Sequence, residues 1–320
     1  MTGVVIGPAG FYGKIPAQPD FIRLHSGAPA VQALASWMEE SLETPRGGSR
    51  DQGGAGPRDE GGALRFLLRF EEADGALLGA LAQSRDRGGR AFPLAVFTQL
   101  SGPDVAADFP ILPAAAATFL DAVEAWLADA RSLPLAELVE RARALPLPEA
   151  RDLAAARSWA EECASPSPAR ELMELSSGTA GTAGASCSLH AFRAACDAAR
   201  GKPARTTIAI DCPVARDVDV YAWLELARRS LSWRAPPSFL WRRGARGQLI
   251  VALGTAPAAV VAHLLGPASR HPRIWPLLEH GPGAAAVARR ALGPSLLAAL
   301  GRADLTIGEL VAAFSRWERS

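Results

Sequence analysis

The sequence predicts an α/β fold, a layered sandwich with a mixed central β-sheet flanked by helices. Three observations predict it. Segments with apolar residues recurring at three and four alternate with a few short runs suited to strands. Prolines and glycines punctuate the joints between these segments. Hydrophobic residues make up 49% of the 320 and charged residues 21%, a balance that buries a sizeable core in one large or two moderate domains.

Taken in order, Ala30–Leu42 reads as an amphipathic helix, with Val31, Leu34, Trp37, Met38 and Leu42 on one side and Glu39 and Glu40 facing away. Residues 44–63 are dominated by Gly, Arg, Asp, Pro and Gln, too polar to fold, and are expected to be a disordered insertion. Leu64–Phe70 predicts a strand, Gly75–Ser84 a short helix with Leu77, Leu78 and Leu81 inward, and Phe92–Leu100 a strong strand. Ala114–Ala130, Leu135–Leu145 and Glu149–Cys163 predict helices. Residues 176–186, a Gly/Ser/Thr/Ala tract without periodicity, are expected to be a linker between regions 1–175 and 187–320. Beyond it come a helix at Ser188–Arg200, a strand at Thr206–Cys212, a helix at Asp219–Leu231, and a hairpin of Ser238–Trp241 with Gln248–Leu253. At the C-terminal end, Thr306 and Glu309 fit a capping box ahead of a helix that buries Leu310, Val311, Phe314 and Trp317.

Composition excludes several functions. A net charge of +1 and the absence of a basic stripe give no case for nucleic acid. Leu249–Ser269 carries no Asp, Glu, Lys or Arg, but Gly254, Pro257, Gly266 and Pro267 break it, so a strand, a turn and a helix at Pro257–Leu265 are expected in place of membrane insertion. Met1 to Ala9 lacks a signal-peptide pattern, and a cytoplasmic protein is expected. The four cysteines lack metal-ligand spacing; Cys187 and His190 alone do not make a zinc site, and buried free thiols are expected.

Two stretches stand out. Gly10-Phe11-Tyr12-Gly13-Lys14-Ile15-Pro16-Ala17-Gln18-Pro19-Asp20-Phe21 is dense in glycine, proline and aromatic rings, which bend and anchor a stiff loop presenting Lys14 and Asp20. Ser84-Arg85-Asp86-Arg87-Gly88-Gly89-Arg90-Ala91-Phe92-Pro93-Leu94 answers it, and the two are expected to meet at one end of the sheet. Gly7 to Lys14 is not a P-loop: the spacing is one residue long, Ile15 replaces the Ser/Thr, and prolines follow where a helix should start. No nucleophile elbow, Cys/His framework or zinc-protease motif occurs. Asp20 and Asp86, beside Lys14, Arg87 and Arg90, read as ionised salt-bridge partners more than as an acid/base pair. Arg85, Arg87 and Arg90 beside Gly88-Gly89 form either a solvated loop, with one arginine tied to Asp20, or an anion site.

The first stretch resembles the GFYGKLP…DF opening of the TagF family of bacterial type VI secretion, and the second is similar to that family's S-x-D-x-x-G-R-x-F-P-L signature. The resemblance is good over Gly10–Leu100 and looser from Pro203, with Gln18-Pro19 standing where the family usually has Arg-Gly. It implies an α/β sandwich and a non-enzymatic accessory protein without cofactor, a post-translational repressor of type VI secretion. A forkhead-associated scaffold protein is among the partners it implies. Phe11, Tyr12, Gly13, Lys14, Pro16, Asp20, Phe21, Asp86, Gly89, Arg90, Phe92 and Pro93 are the motif residues expected to form the binding region. The alternative is a phosphate- or nucleotide-responsive module, or an enzyme, using Lys14, Asp20, Asp86 and Arg90.

Overall fold

The computed structural model describes residues 3–43, 62–71, 73–177, 182–203, 208–243, 247–265, 271–281 and 283–317. Ten strands form one sheet: β1 (Val5–Ile6), β2 (Gly10–Gly13), β3 (Ile22–Leu24), β4 (Leu64–Leu68), β5 (Ala76–Ala82), β6 (Leu94–Ser101), β7 (Ala209–Pro213), β8 (Phe239–Arg242), β9 (Gln248–Ala252) and β10 (Ile274–Pro276). Their order is β10-β7-β9-β8-β4-β5-β6-β2-β3, with β1 also pairing β6. Among the described residues only β10 and β7 run parallel, and every other pair is antiparallel. The sheet is therefore mixed, as expected.

Side chains on the two faces separate into two cores, as strand alternation requires. One face carries Phe11, Leu67, Leu78, Val96, Phe239 and Trp241 against the helices Ala117–Asp129, Thr182–Ala198, Asp217–Leu231 and Ile307–Arg316. The other carries Leu64, Phe66, Leu77, Leu81, Phe97 and Ile250 against Pro29–Glu43 and Ala259–Leu265. The indole of Trp37, on Pro29–Glu43, donates at 2.8 Å to the carbonyl of Ala256, in the turn that leads into Ala259–Leu265. The architecture is the expected α/β sandwich, helices on both faces of a sheet.

Three expectations are corrected or fall outside the description. The helix expected at Gly75–Ser84 is strand β5, at the centre of the sheet and covered on both faces. Burial on both sides removes the polar alternation that marks a strand, and its continuous apolar run reads equally as helix. Gly79 belongs there because a Cβ would sit 1.9 Å from the carbonyl oxygen of Val96 on the neighbouring strand. The tract at 176–186 is helical where it is described, at the end of Arg170–Ser177 and the start of Thr182–Ala198; residues 178–181 lie outside the described residues. The expected insertion at 44–63 lies outside them too, apart from Gly62 and Ala63. Strands from both sides of residue 176 share the one sheet, joined where β4 pairs with β8. Among the described residues no helix is long and apolar enough to cross a membrane.

Candidate functional site

Two hairpins place the two motif stretches side by side. β2 and β3 are joined by residues 14–21, and β5 and β6 by residues 83–93. Because β2 pairs antiparallel with β6, with Tyr12 opposite Ala95, both turns lie at the same end of the sheet. Gly13 sits at the crossing: its φ is +146°, and a Cβ there would be 2.3 Å from the carbonyl oxygen of Pro93. Only glycine admits so close a backbone contact.

Aromatic rings fill the space beneath. Phe11 points to the first core, fully buried, its ring 5.2 Å from that of Trp126. Tyr12 stacks on Phe21 at 5.4 Å, and Phe92 meets Phe21 edge-on at 4.8 Å. Burial raises the Tyr12 phenol pKa; Glu39 adds to this and Arg23, opposite Tyr12 on β3, works against it.

Asp86 is the hub. Its side chain is fully buried, and one carboxylate oxygen accepts from the Lys14 ammonium at 3.0 Å and from Arg90 Nε at 2.6 Å. The other accepts the backbone amides of Gly88 and Arg90, each at 2.9 Å. Backbone bonds close the turn around it: Asp86 N–H donates to the Arg90 carbonyl, and Gly89, at φ +82°, donates to that of Asp86. The loops are stitched to each other by Arg87 N–H donating to the Gln18 carbonyl at 2.9 Å and by Arg90 Nη2 donating to that of Pro19 at 2.7 Å. Lys14 is itself buried and lies 4.9 Å from the Phe21 ring centre. Pro16 follows in the first turn, whose Gln18 N–H donates to Ile15.

One expected pairing is corrected. Arg90 is not tied to Asp20: Asp20 is exposed and accepts only the neighbouring amide of Phe21, at 2.8 Å. Asp86 takes the guanidinium because the turn folds Arg90 back over it, four residues on.

Burial alone would raise the Asp86 pKa, but the Arg90 amide, the Lys14 ammonium and the Arg90 guanidinium outweigh it and hold the carboxyl well below the usual carboxylate range. A group whose pKa is depressed on folding stabilises the folded state above its unfolded pKa of about 4, and that stabilisation is lost as pH falls through the folded value. Melting temperatures followed from pH 5 downward are therefore expected to fall more steeply for the wild type than for Asp86→Asn, whose side chain does not titrate. Parallel slopes would remove the ion-pair account.

Sequence reasoning missed two features. Arg65, in the apolar strand β4, is buried and donates from Nε to Glu124 at 2.7 Å and from Nη2 to Asp121 at 2.5 Å. A cavity of about 910 Å³ opens near the opposite edge of the sheet, with Ala191, Ala195, Trp275 and Val287 on its walls. Its His280 is 3.3 Å from Ser188, and burial lowers the imidazole pKa. No local signal in the sequence marks either, since both depend on which distant segments pack together. Of the cysteines, Cys187, Cys196 and Cys212 are buried free thiols, as expected, but Cys163 is exposed. Among the described residues no group of three or more His, Cys, Asp or Glu could hold a metal ion.

The fold and this end of it define an α/β protein whose distinctive feature is a pair of hairpin loops locked on one buried aspartate. Residues 10–145, which contain both loops, match the TagF N-terminal domain family, type VI secretion system-associated. The resemblance carried by the two signatures is thereby borne out over that span. No curated protein matches the chain. Among solved structures it is similar to the crystal structure of PA0076 from Pseudomonas aeruginosa PAO1, at 18% identity and a TM-score of 0.44, covering 82% of this chain and 97% of that one.

Proposed function

We propose that this protein is a non-enzymatic accessory factor of type VI secretion, a post-translational repressor that acts in the cytoplasm by binding another protein through the paired-loop end. A forkhead-associated scaffold protein is the candidate partner. The observation that supports this reading is that the two stretches resembling TagF signatures, both within the span that matches the TagF N-terminal domain, are bonded into one unit at the protein surface. Asp86, the buried carboxylate of that unit, has both oxygens occupied by four donors. A carboxylate so engaged, its pKa depressed, is poorly placed for proton transfer near neutral pH. Lys14 and Asp86 neutralise each other, which leaves the alternative reading, a phosphate- or nucleotide-responsive module, with the exposed arginines alone.

Deleting the gene is expected to raise secretion of a tube protein or effector, and co-purification with the full chain to recover a type VI component. Unchanged secretion with no such component would remove the reading. A thermal-shift panel of nucleotides and phosphorylated metabolites tests the alternative, which requires a stabilisation that Arg90→Ala abolishes.

A further inference from the structure

We propose that the loop end is a docking surface for an acidic segment of a protein partner, read by Arg23, Arg85, Arg87 and Arg90. Lys14 and Asp86 hold the turn that bears Arg85, Arg87 and Arg90 without touching the ligand. The proposal rests on the function just given and names the chemistry of its partner.

Charge is the first argument. Arg23, Arg85, Arg87 and Arg90 are all exposed, and Asp20 is the one exposed carboxylate in the two loops. The four guanidinium groups are met by Asp20 and by Glu39, which is exposed and near enough to Tyr12 to act on its phenol, so a cationic excess remains on a chain whose net charge is only +1. Three of these four charges, those of Arg23, Arg85 and Arg87, are also unspent. Elsewhere some exposed arginines are paired, Arg141 with Asp129 and Glu137, Arg170 with Glu174, and Arg302 with Asp304 and Glu309, while Arg289, Arg290 and Arg316 have no ion pair among the described residues; what sets this end apart is that several guanidinium groups gather on two joined hairpins. The side chains of Arg23, Arg85 and Arg87 make no hydrogen bond or ion pair among the described residues. The Arg90 side chain is 67% exposed even while its Nε holds Asp86.

An arginine on a mobile loop loses conformational freedom when it binds, whereas this backbone is already fixed by Asp86 and by the bonds to Gln18 and Pro19. Between the arginines, Gly88 and Gly89 leave the backbone bare; nothing lies within 4 Å of where a Gly89 Cβ would be. A partner can therefore approach the turn closely and meet guanidinium groups on either side. Finally, a polypeptide fits this place better than a free anion. β3, which bears Arg23, is an edge strand with no strand on its outer side among the described residues. An extended segment can pair along it while its carboxylates reach the arginines.

The test is fluorescence anisotropy with a labelled twelve-residue poly-glutamate peptide as probe, using the full chain and its Arg85→Glu/Arg87→Glu variant. Both substitutions are on exposed side chains and leave Asp86 and its donors in place, so the melting temperature is expected to stay unchanged. Wild type is expected to bind and to lose about tenfold in affinity between about 50 and 300 mM salt. The double variant should bind at least about tenfold more weakly at the lower salt, because like charges now face the probe. Arg289→Glu/Arg290→Glu, on the helix Ala284–Leu300, should bind as wild type does. Absence of binding at low salt, equal binding by the Arg85/Arg87 variant, or displacement of the probe by inorganic phosphate at matched ionic strength would overturn the surface. The two readings fail separately. If deletion alters secretion and the Arg85/Arg87 variant restores it fully, the surface falls and the function stands; if deletion changes nothing, the function falls whatever the anisotropy shows.

Discussion

Asp86→Ala is expected to separate the two hairpin loops and to lower the melting temperature by roughly 5–10 °C. The substitution removes the acceptor for four donors at once: the Lys14 ammonium, the Arg90 guanidinium, and the amides of Gly88 and Arg90. Lys14 suffers most, because it is buried, and a buried ammonium without its counter-charge keeps its desolvation cost and loses what offset it. Freed from Asp86, the turn should open, and trypsin should cut after Arg85, Arg87 or Arg90 much faster than in wild type. Asp20→Ala is the control. Asp20 is exposed and bonded only to the next amide, so it should melt within about 1 °C of wild type. Removing the stranded charge in Lys14→Met/Asp86→Ala should recover part of the loss. If Asp86→Ala melts and digests like Asp20→Ala, the carboxylate is not what joins the loops.

The same residues show how far the sequence could be read. That the loops meet was legible because glycines, prolines and aromatics mark a bend by their own geometry, whatever surrounds them. The C-terminal helix was legible for a similar reason. Thr306 and Glu309 bond each other's backbone amides at 3.2 and 3.0 Å, a reciprocal cap encoded in four consecutive residues. The partner of Arg90 was not legible. Asp20 and Asp86 are both carboxylates near it, and only the folded turn decides which one is buried. β5 failed for the opposite reason: a strand at the middle of the sheet, covered by both cores, has lost the alternation by which a strand is recognised. Arg65 failed because its partners, Asp121 and Glu124, come from a helix more than fifty residues downstream.

Trp241→Ala is expected to destabilise the whole molecule by about 3–5 kcal/mol, the range for emptying a fully buried aromatic site. Trp241 lies on β8 opposite Arg65 of β4, the one place among the described residues where strands from the two ends of the chain pair directly. Its ring is 1% exposed and packs 5.4 Å from that of Phe239, which in turn approaches Phe109. A cavity here weakens both sides of the seam, so chemical denaturation of the variant should still show one transition, shifted as a unit. Two separated transitions would mean that the β1–β6 and β7–β10 parts of the sheet hold their folds independently. Residues 1–175 alone provide a sharper form of the test. Without β8 they expose the edge of β4, Leu64–Leu68, whose residues are all buried in the intact sheet. A bare apolar edge templates pairing with other chains, so this fragment is expected to aggregate. Should it stay monomeric with the intact protein's melting temperature, the seam contributes little, and the loop end that carries the proposed docking surface could be studied on that fragment by itself.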